Sequence, residues 1–158
     1  MKHFENSLEI PTDPSTVFNF IDDHSQFSSH MTQSSWMMGG GKMEVTTDEN
    51  HGRAVGSHIR LRGKVIGIDL FVDEVVTERK PPNIKAWKTV DRPRLLIIGN
   101  YEMRVSITPQ NQGSRITVGI NYDLPSPNSI LGKLFGGFYA RWCVSQMLDG
   151  VKDRFPIG

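Results

Sequence analysis

SPNSILGKLFGGFYARWCVSQMLDGVKDRF, residues 126–155, is the stretch whose reading decides the fold. Ser126-Pro127 reads as an N-cap followed by the first helical residue. Phe155-Pro156 reads as the end, because the residue before a proline disfavours the α region. Between them Leu131, Leu134, Phe138, Trp142, Ser145, Leu148, Val151 and Phe155 recur at three- and four-residue spacing, the mark of an amphipathic helix. Phe135, Tyr139, Cys143 and Met147 widen the apolar face on one flank, and Lys133, Arg141, Lys152 and Asp153 mark the other side. Such a helix is roughly 40 Å long at 1.5 Å per residue. It is too long and too aromatic to be covered by a short helix, and a curved sheet is the partner it needs. Gly136 and Gly137 interrupt it, at a cost of up to about 1 kcal/mol each relative to Ala. They allow two readings: close packing or a kink against a strand, or room for a ligand under the helix.

The rest of the chain supplies that sheet. Residues 2–10 alternate, with Phe4, Asn6, Leu8 and Ile10 on one face, as a half-buried strand does. Pro11-Thr12-Asp13-Pro14 then gives a turn, an Asp N-cap and a Pro at the first helical position. A short helix to about Asp22 carries Val17, Phe18 and Ile21, and a second short helix is expected within 23–35. Period-two patterns predict strands at 42–49, 55–63, 65–78, 83–91, 96–109 and 114–124, separated by Gly-, Pro- and Asn-rich breaks. Their turns leave no room for crossover helices, so the pairing is antiparallel. The expected architecture is α+β: one seven-stranded antiparallel sheet curled around the long C-terminal helix, with two short helices after the first strand. The whole of 1–158 is expected to be one domain.

Composition narrows the function. A net charge of +1 with 22% charged residues and no Lys/Arg block gives no footprint for nucleic acid. One cysteine excludes an internal disulfide and a cysteine-rich metal site. Met1-Lys2-His3 runs straight into a strand with no signal peptide, and Lys133 and Arg141 interrupt the most apolar stretch, so a cytoplasmic protein without stable membrane insertion is expected.

The five histidines (His3, His24, His30, His51, His58) lack ligand spacing and read as solvated. Gly39-Gly40-Gly41-Lys42 is no phosphate loop: Trp36 stands where the first glycine is required and Met43 where Ser or Thr is. Beside Trp36, Met37 and Met38 these glycines read instead as a lip to a cavity. Cys143 reads as a buried, inert thiol. Asp69 and Asp73 alternate with apolar neighbours and are expected to face solvent, as is the basic stripe of His58, Arg60 and Arg62. No metal or cofactor is called for.

The order of elements, together with Ile10-Pro11-(x2)-Pro14-(x2)-Val17-Phe18-(x2)-Ile21-Asp22, Gly56-Ser57, Val75-(x2)-Glu78-(x2)-Pro81-Pro82 before Trp87, and Gly113-Ser114-Arg115-Ile116-Thr117-Val118, resembles the polyketide cyclase/dehydrase and lipid-transport branch of the START-like (SRPBCC, helix-grip) superfamily. The resemblance covers the whole chain, each motif being diffuse by itself. It implies a deep apolar cavity between sheet and long helix that holds a hydrophobic small molecule such as a lipid, quinone or polyketide. It implies no particular reaction, since members range from lipid carriers and hormone receptors to ring cyclases and quinone-binding chaperones.

The expected ligand-binding set is Trp87, Tyr101, Met103, Tyr122, Phe138 and Trp142, with Asn6 as an orienting polar group and Trp36 and Met38 near the mouth. Two alternatives stand beside binding. A cyclase or dehydratase requires a carboxylate or histidine inside the cavity. A chaperone-like interaction module requires an exposed apolar patch from residues 31–41 or the C-terminal helix, and a small or filled cavity. The ligand, a protein partner and the oligomeric state stay open.

Overall fold

The computed structural model describes residues 1–27, 29, 42–65, 67–126 and 128–157, with Lys42 by its backbone alone. The elements run β1 (Lys2–Ile10), α1 (Pro14–Asp22), α2 (His24–Phe27), β2 (Lys42–Thr47), β3 (His58–Val65), β4 (Ile68–Lys80), β5 (Ile84–Arg94), β6 (Tyr101–Gln110), β7 (Gly113–Tyr122) and α3 (Ile130–Arg154). The strands form one antiparallel sheet in the order β1-β7-β6-β5-β4-β3-β2. The long helix and the two short ones lie on its inner face, as the alternation and the short turns predict. Trp36, Met37, Met38 and the glycine run 39–41 fall outside the described residues.

Local signals explain where most elements begin. Asp13 caps α1, its carboxylate accepting from Thr16 N at 3.0 Å, and Pro14 occupies the first helical position. α3 starts later than expected. Ser129, not Ser126, is its cap and accepts from Gly132 N at 2.9 Å. The helix ends at Phe155, whose N–H reaches Val151 O, with Lys152 and Arg154 complementing the negative helix end.

Two strand boundaries differ for a structural reason. β5 continues through Pro93 to Arg94, against the expected break at Arg92-Pro93, and Arg94 still pairs with Phe71 of β4. Residues 96–100, expected as the start of a strand, are irregular together with Leu95. The β5–β6 register ends at Lys88↔Glu102, and beyond it the two strands part. The Thr89 hydroxyl takes over from the ladder there, accepting from Tyr101 N at 3.1 Å. Gly99 N donates to Asp123 O and Asp123 N to Asn100 O, tying the irregular segment to the end of β7.

The phase of α3 differs over its first half, while Tyr139, Cys143, Met147, Leu148, Val151 and Phe155 are buried as expected. Its buried residues are Gly132, Gly136, Tyr139, Ala140, Cys143, Val144, Met147, Leu148 and Val151. Leu131, Leu134, Phe135 and Phe138, expected against the sheet, are exposed by 51%, 68%, 47% and 54%. The reason is close approach. A Cβ on Gly132 would lie 2.9 Å from Pro125 Cδ and 3.1 Å from Ile97 O, and one on Gly136 would lie 3.4 Å from Leu124 Cδ2. Small residues make the contact at this end of α3, so the large ones turn outward. Close packing, of the two readings of the mid-helix glycines, describes Gly136.

Candidate functional site

The interior polar chemistry starts on β4. Val72, Glu74 and Val76 share its inner face, and all three are buried. Glu74 is 4% exposed, an acidic side chain in the middle of an apolar face. Such a group is costly unless paired, and two neighbours meet it. Tyr101, at the point where β5 and β6 part, donates its hydroxyl to Glu74 Oε1. His24, from the short helix α2, brings Nε2 to 3.2 Å from Glu74 Oε2. That pair is close but misaligned: among the described residues, Glu74 Oε2 and His24 Nδ1 have no hydrogen-bond partner. His24 is 2% exposed and held edge-on against Trp87, ring centroids 4.8 Å apart. The expectation of five solvated histidines fails here, because α2 folds His24 under the sheet.

Glu74 and Tyr101 open onto a cavity of ≈ 30 Å³ between sheet and helix. Leu61, Trp87, Met103 and Ile120 line it from the strands, and Tyr139, Cys143 and Met147 from α3. Leu95 and Ile98, from the irregular segment between β5 and β6, also line it. A water needs about 10–15 Å³, so this space holds about two. In place of the deep cavity implied by the resemblance stands this small space, and Leu131, Leu134, Phe135 and Phe138 are exposed on α3, the two features that the interaction-module alternative requires.

Burial sets the proton chemistry of the lining. The Tyr101 phenol is pushed well above its ordinary pKa by burial and then by the adjacent Glu74 charge. Tyr139 is raised in the same way, by burial and then by Cys143. Burial pushes the Cys143 thiol up to about 12. These three therefore stay protonated near neutrality. The expectation of a buried thiol at Cys143 agrees with this setting.

Of the expected ligand-binding residues, Trp87, Tyr101 and Met103 come together in this cavity. Tyr122 is buried but lies under α3, its hydroxyl 3.6 Å from where a Cβ of Gly137 would be, and it is outside the lining. Phe138 is on the outward side of α3, and Trp142 is half-buried and tilted against Tyr139, 5.7 Å between centroids. Asn6 is exposed on the edge strand, where its Oδ1 accepts from Ser7 N at 2.8 Å. Trp36 and Met38 lie outside the described residues. Glu74 and His24 were not among the expected site residues. The alternation Val72-x-Glu74-x-Val76 was the signal for Glu74; for His24 the sequence carries none.

A second buried charge cluster lies away from the cavity lining. Lys85, 0% exposed, places Nζ 3.0 Å from Asp22 Oδ1 at the end of α1, and Arg79 Nη2 reaches Asp22 Oδ2 at 2.8 Å. On the outer face Asp73, expected in solvent, is covered by its partners: His58 Nδ1 at 2.8 Å and Arg60 Nε at 3.3 Å. Among the described residues no helix is long and apolar enough to cross a membrane.

Comparison with known proteins agrees with the architecture. A protein of Thermus thermophilus superposes with TM-score 0.67 at 18% identity, over 97% of this chain and 96% of its own. Ginseng major latex-like protein 151 from Panax ginseng gives TM-score 0.62 at 12% identity, over 98% and 97%. Norcoclaurine synthase from Thalictrum flavum gives TM-score 0.62 at 15% identity, over 96% and 84%. At these identities the likeness is one of fold. A search of curated proteins by sequence found no match. The sequence itself fits the family model for polyketide cyclase / dehydrase and lipid transport over residues 1–155, and the chain, with its helix-grip sheet closed by α3, belongs to that family, which typically binds hydrophobic ligands.

Proposed function

We propose that this chain binds a hydrophobic small molecule between its sheet and α3, in the interior that Trp87, Tyr101, Met103 and Met147 line. The observation that carries the reading is a largely apolar lining with one buried acidic group, Glu74, set into it. A ligand site has this make-up: apolar walls supply the affinity, about 25 cal/mol per Å² buried, and a few polar groups fix orientation. The small cavity volume requires side chains to move aside. Met103 and Met147, unbranched and adaptable, are suited to that. Native mass spectrometry of the freshly purified protein, followed by organic extraction, tests the reading. A stoichiometric lipid, quinone or polycyclic molecule supports it. A clean mass, together with no heat on titration with such compounds, overturns it.

A second reading, acid–base turnover of the bound molecule as in a cyclase or dehydratase, is favoured by the Glu74 carboxylate in the lining, with the His24 imidazole behind it. Turnover of a molecule recovered by extraction, abolished in Glu74→Gln, separates the two.

A further inference from the structure

We infer that Glu74 makes this interior selective for apolar molecules whose head group donates a hydrogen bond, a hydroxyl or phenol, and selective against those ending in a carboxylate. This rests on the reading that the interior is a ligand site, and adds the chemistry of the head group.

The argument is one of satisfied and unsatisfied atoms. A carboxylate offers about four acceptor positions. Tyr101 uses one on Oε1, while Oε2 has no hydrogen-bond partner among the described residues and His24 stands near it out of alignment. A buried acceptor left in that state costs on the order of 1–3 kcal/mol, which a ligand donor that reaches it recovers. Of the lining hydroxyls, Tyr101 is committed to Glu74 and Tyr139 sits against Cys143, while His24 Nε2 stands 3.2 Å from Oε2 without the alignment of a hydrogen bond. A ligand carboxylate meets the reverse situation. No Lys or Arg is among the described lining residues. An anion placed there faces Glu74 in a low dielectric, where two neighbouring carboxylates cannot both stay ionised.

The test is isothermal titration calorimetry near pH 7.5 with three probes of one shape: 4-propylphenol, 4-propylanisole and 4-propylbenzoate. The phenol is expected to bind about tenfold tighter than the ether, the worth of one charge-assisted hydrogen bond, and tighter still than the benzoate. In Glu74→Gln the phenol and the ether are expected to fall within about threefold of one another, while the benzoate stays weaker because its charge is still buried without a cation. Tyr101→Phe frees a second acceptor on Glu74, so the phenol preference over the ether is expected to grow there, and a preference that shrinks counts against the inference; this variant carries the test should Glu74→Gln lose its native circular dichroism. Benzoate binding as tightly as phenol, or a phenol preference unchanged in Glu74→Gln, overturns the inference while leaving the site. Absence of heat with all three probes overturns the ligand site itself.

Discussion

Lys85 Nζ and the Asp22 carboxylate meet at 3.0 Å under the sheet, and the same ammonium donates to the Asp22 backbone carbonyl at 3.2 Å. One side chain on β5 thereby holds both the carboxylate and the backbone of the last residue of α1. α2, and with it His24, begins just beyond Asp23.

The two partners are not equivalent. Asp22 keeps Arg79 when Lys85 is removed, whereas Lys85 loses its carboxylate when Asp22 is removed and remains fully buried. Asp22→Ala should therefore destabilise by about 3–5 kcal/mol, the usual cost of orphaning a buried charge, and Lys85→Met by clearly less. Urea unfolding of both variants decides it; equal losses would contradict the assignment.

The same pair sets a pH dependence. Burial alone would raise the Asp22 carboxyl, but the Arg79 hydrogen bonds and the Lys85 charge outweigh it and hold it below its ordinary value of 3.8. The unfolded chain thus binds more protons than the folded chain in that range, so stability rises with pH across it. The contribution is complete above about pH 5 and is lost as pH falls through the folded pKa. Unfolding midpoints at pH 7 and pH 3 should separate more in the wild type than in Asp22→Asn; equal separations would remove Asp22 from the acid response.

Glycines on α3 give an opposed pair. Nothing lies within 4 Å of a Cβ built on Gly150, so Gly150→Ala should stabilise by about 0.5–1 kcal/mol through helix propensity. Gly132→Ala drives a methyl to 2.9 Å from Pro125 Cδ and 3.1 Å from Ile97 O, so it should destabilise despite the same propensity gain. Thermal unfolding of the two variants should move in opposite directions.

Much of the fold was legible because a half-buried strand writes its inner face as every second residue. Tyr101, Met103, Val105 and Ile107 sit inside as their alternation predicts. The phase of the first half of α3 was not, because Gly132 and Gly136, which pack against Ile97 and the residues after β7, carry no side chain for a pattern to register. At the site, Trp87, Tyr101 and Met103 could be placed on inner faces from their strands alone. His24 could not. It reaches Glu74, far along the chain, through the docking of a four-residue helix, and no local pattern encodes that. Lys85 shows the same limit: a lysine on an inner face reads as an error until Asp22 is seen beside it.

The Tyr101–Glu74 bond predicts a stability effect separable from binding. Tyr101→Phe keeps the ring in the apolar lining and removes only the hydroxyl, leaving Glu74 with one acceptor fewer satisfied. The expected loss is about 1–3 kcal/mol, more than a surface Tyr→Phe change gives. Chemical denaturation measures it, and Glu74→Gln/Tyr101→Phe completes a cycle in which the coupling should be clearly non-zero.

The helix phase is itself testable by two lysine substitutions on α3. If the large apolar residues faced the sheet, Leu134→Lys would bury a charge and unfold the chain. With Leu134 68% exposed and Ala140 0% exposed, the opposite order follows. Leu134→Lys should change stability by less than about 0.5 kcal/mol, as surface substitutions do. Ala140→Lys must force an ammonium and four methylenes against the sheet, and should cost about 3 kcal/mol or more through overpacking and desolvation. Thermal unfolding of the two variants gives the order directly, and a destabilised Leu134→Lys beside a native-like Ala140→Lys would turn α3 over.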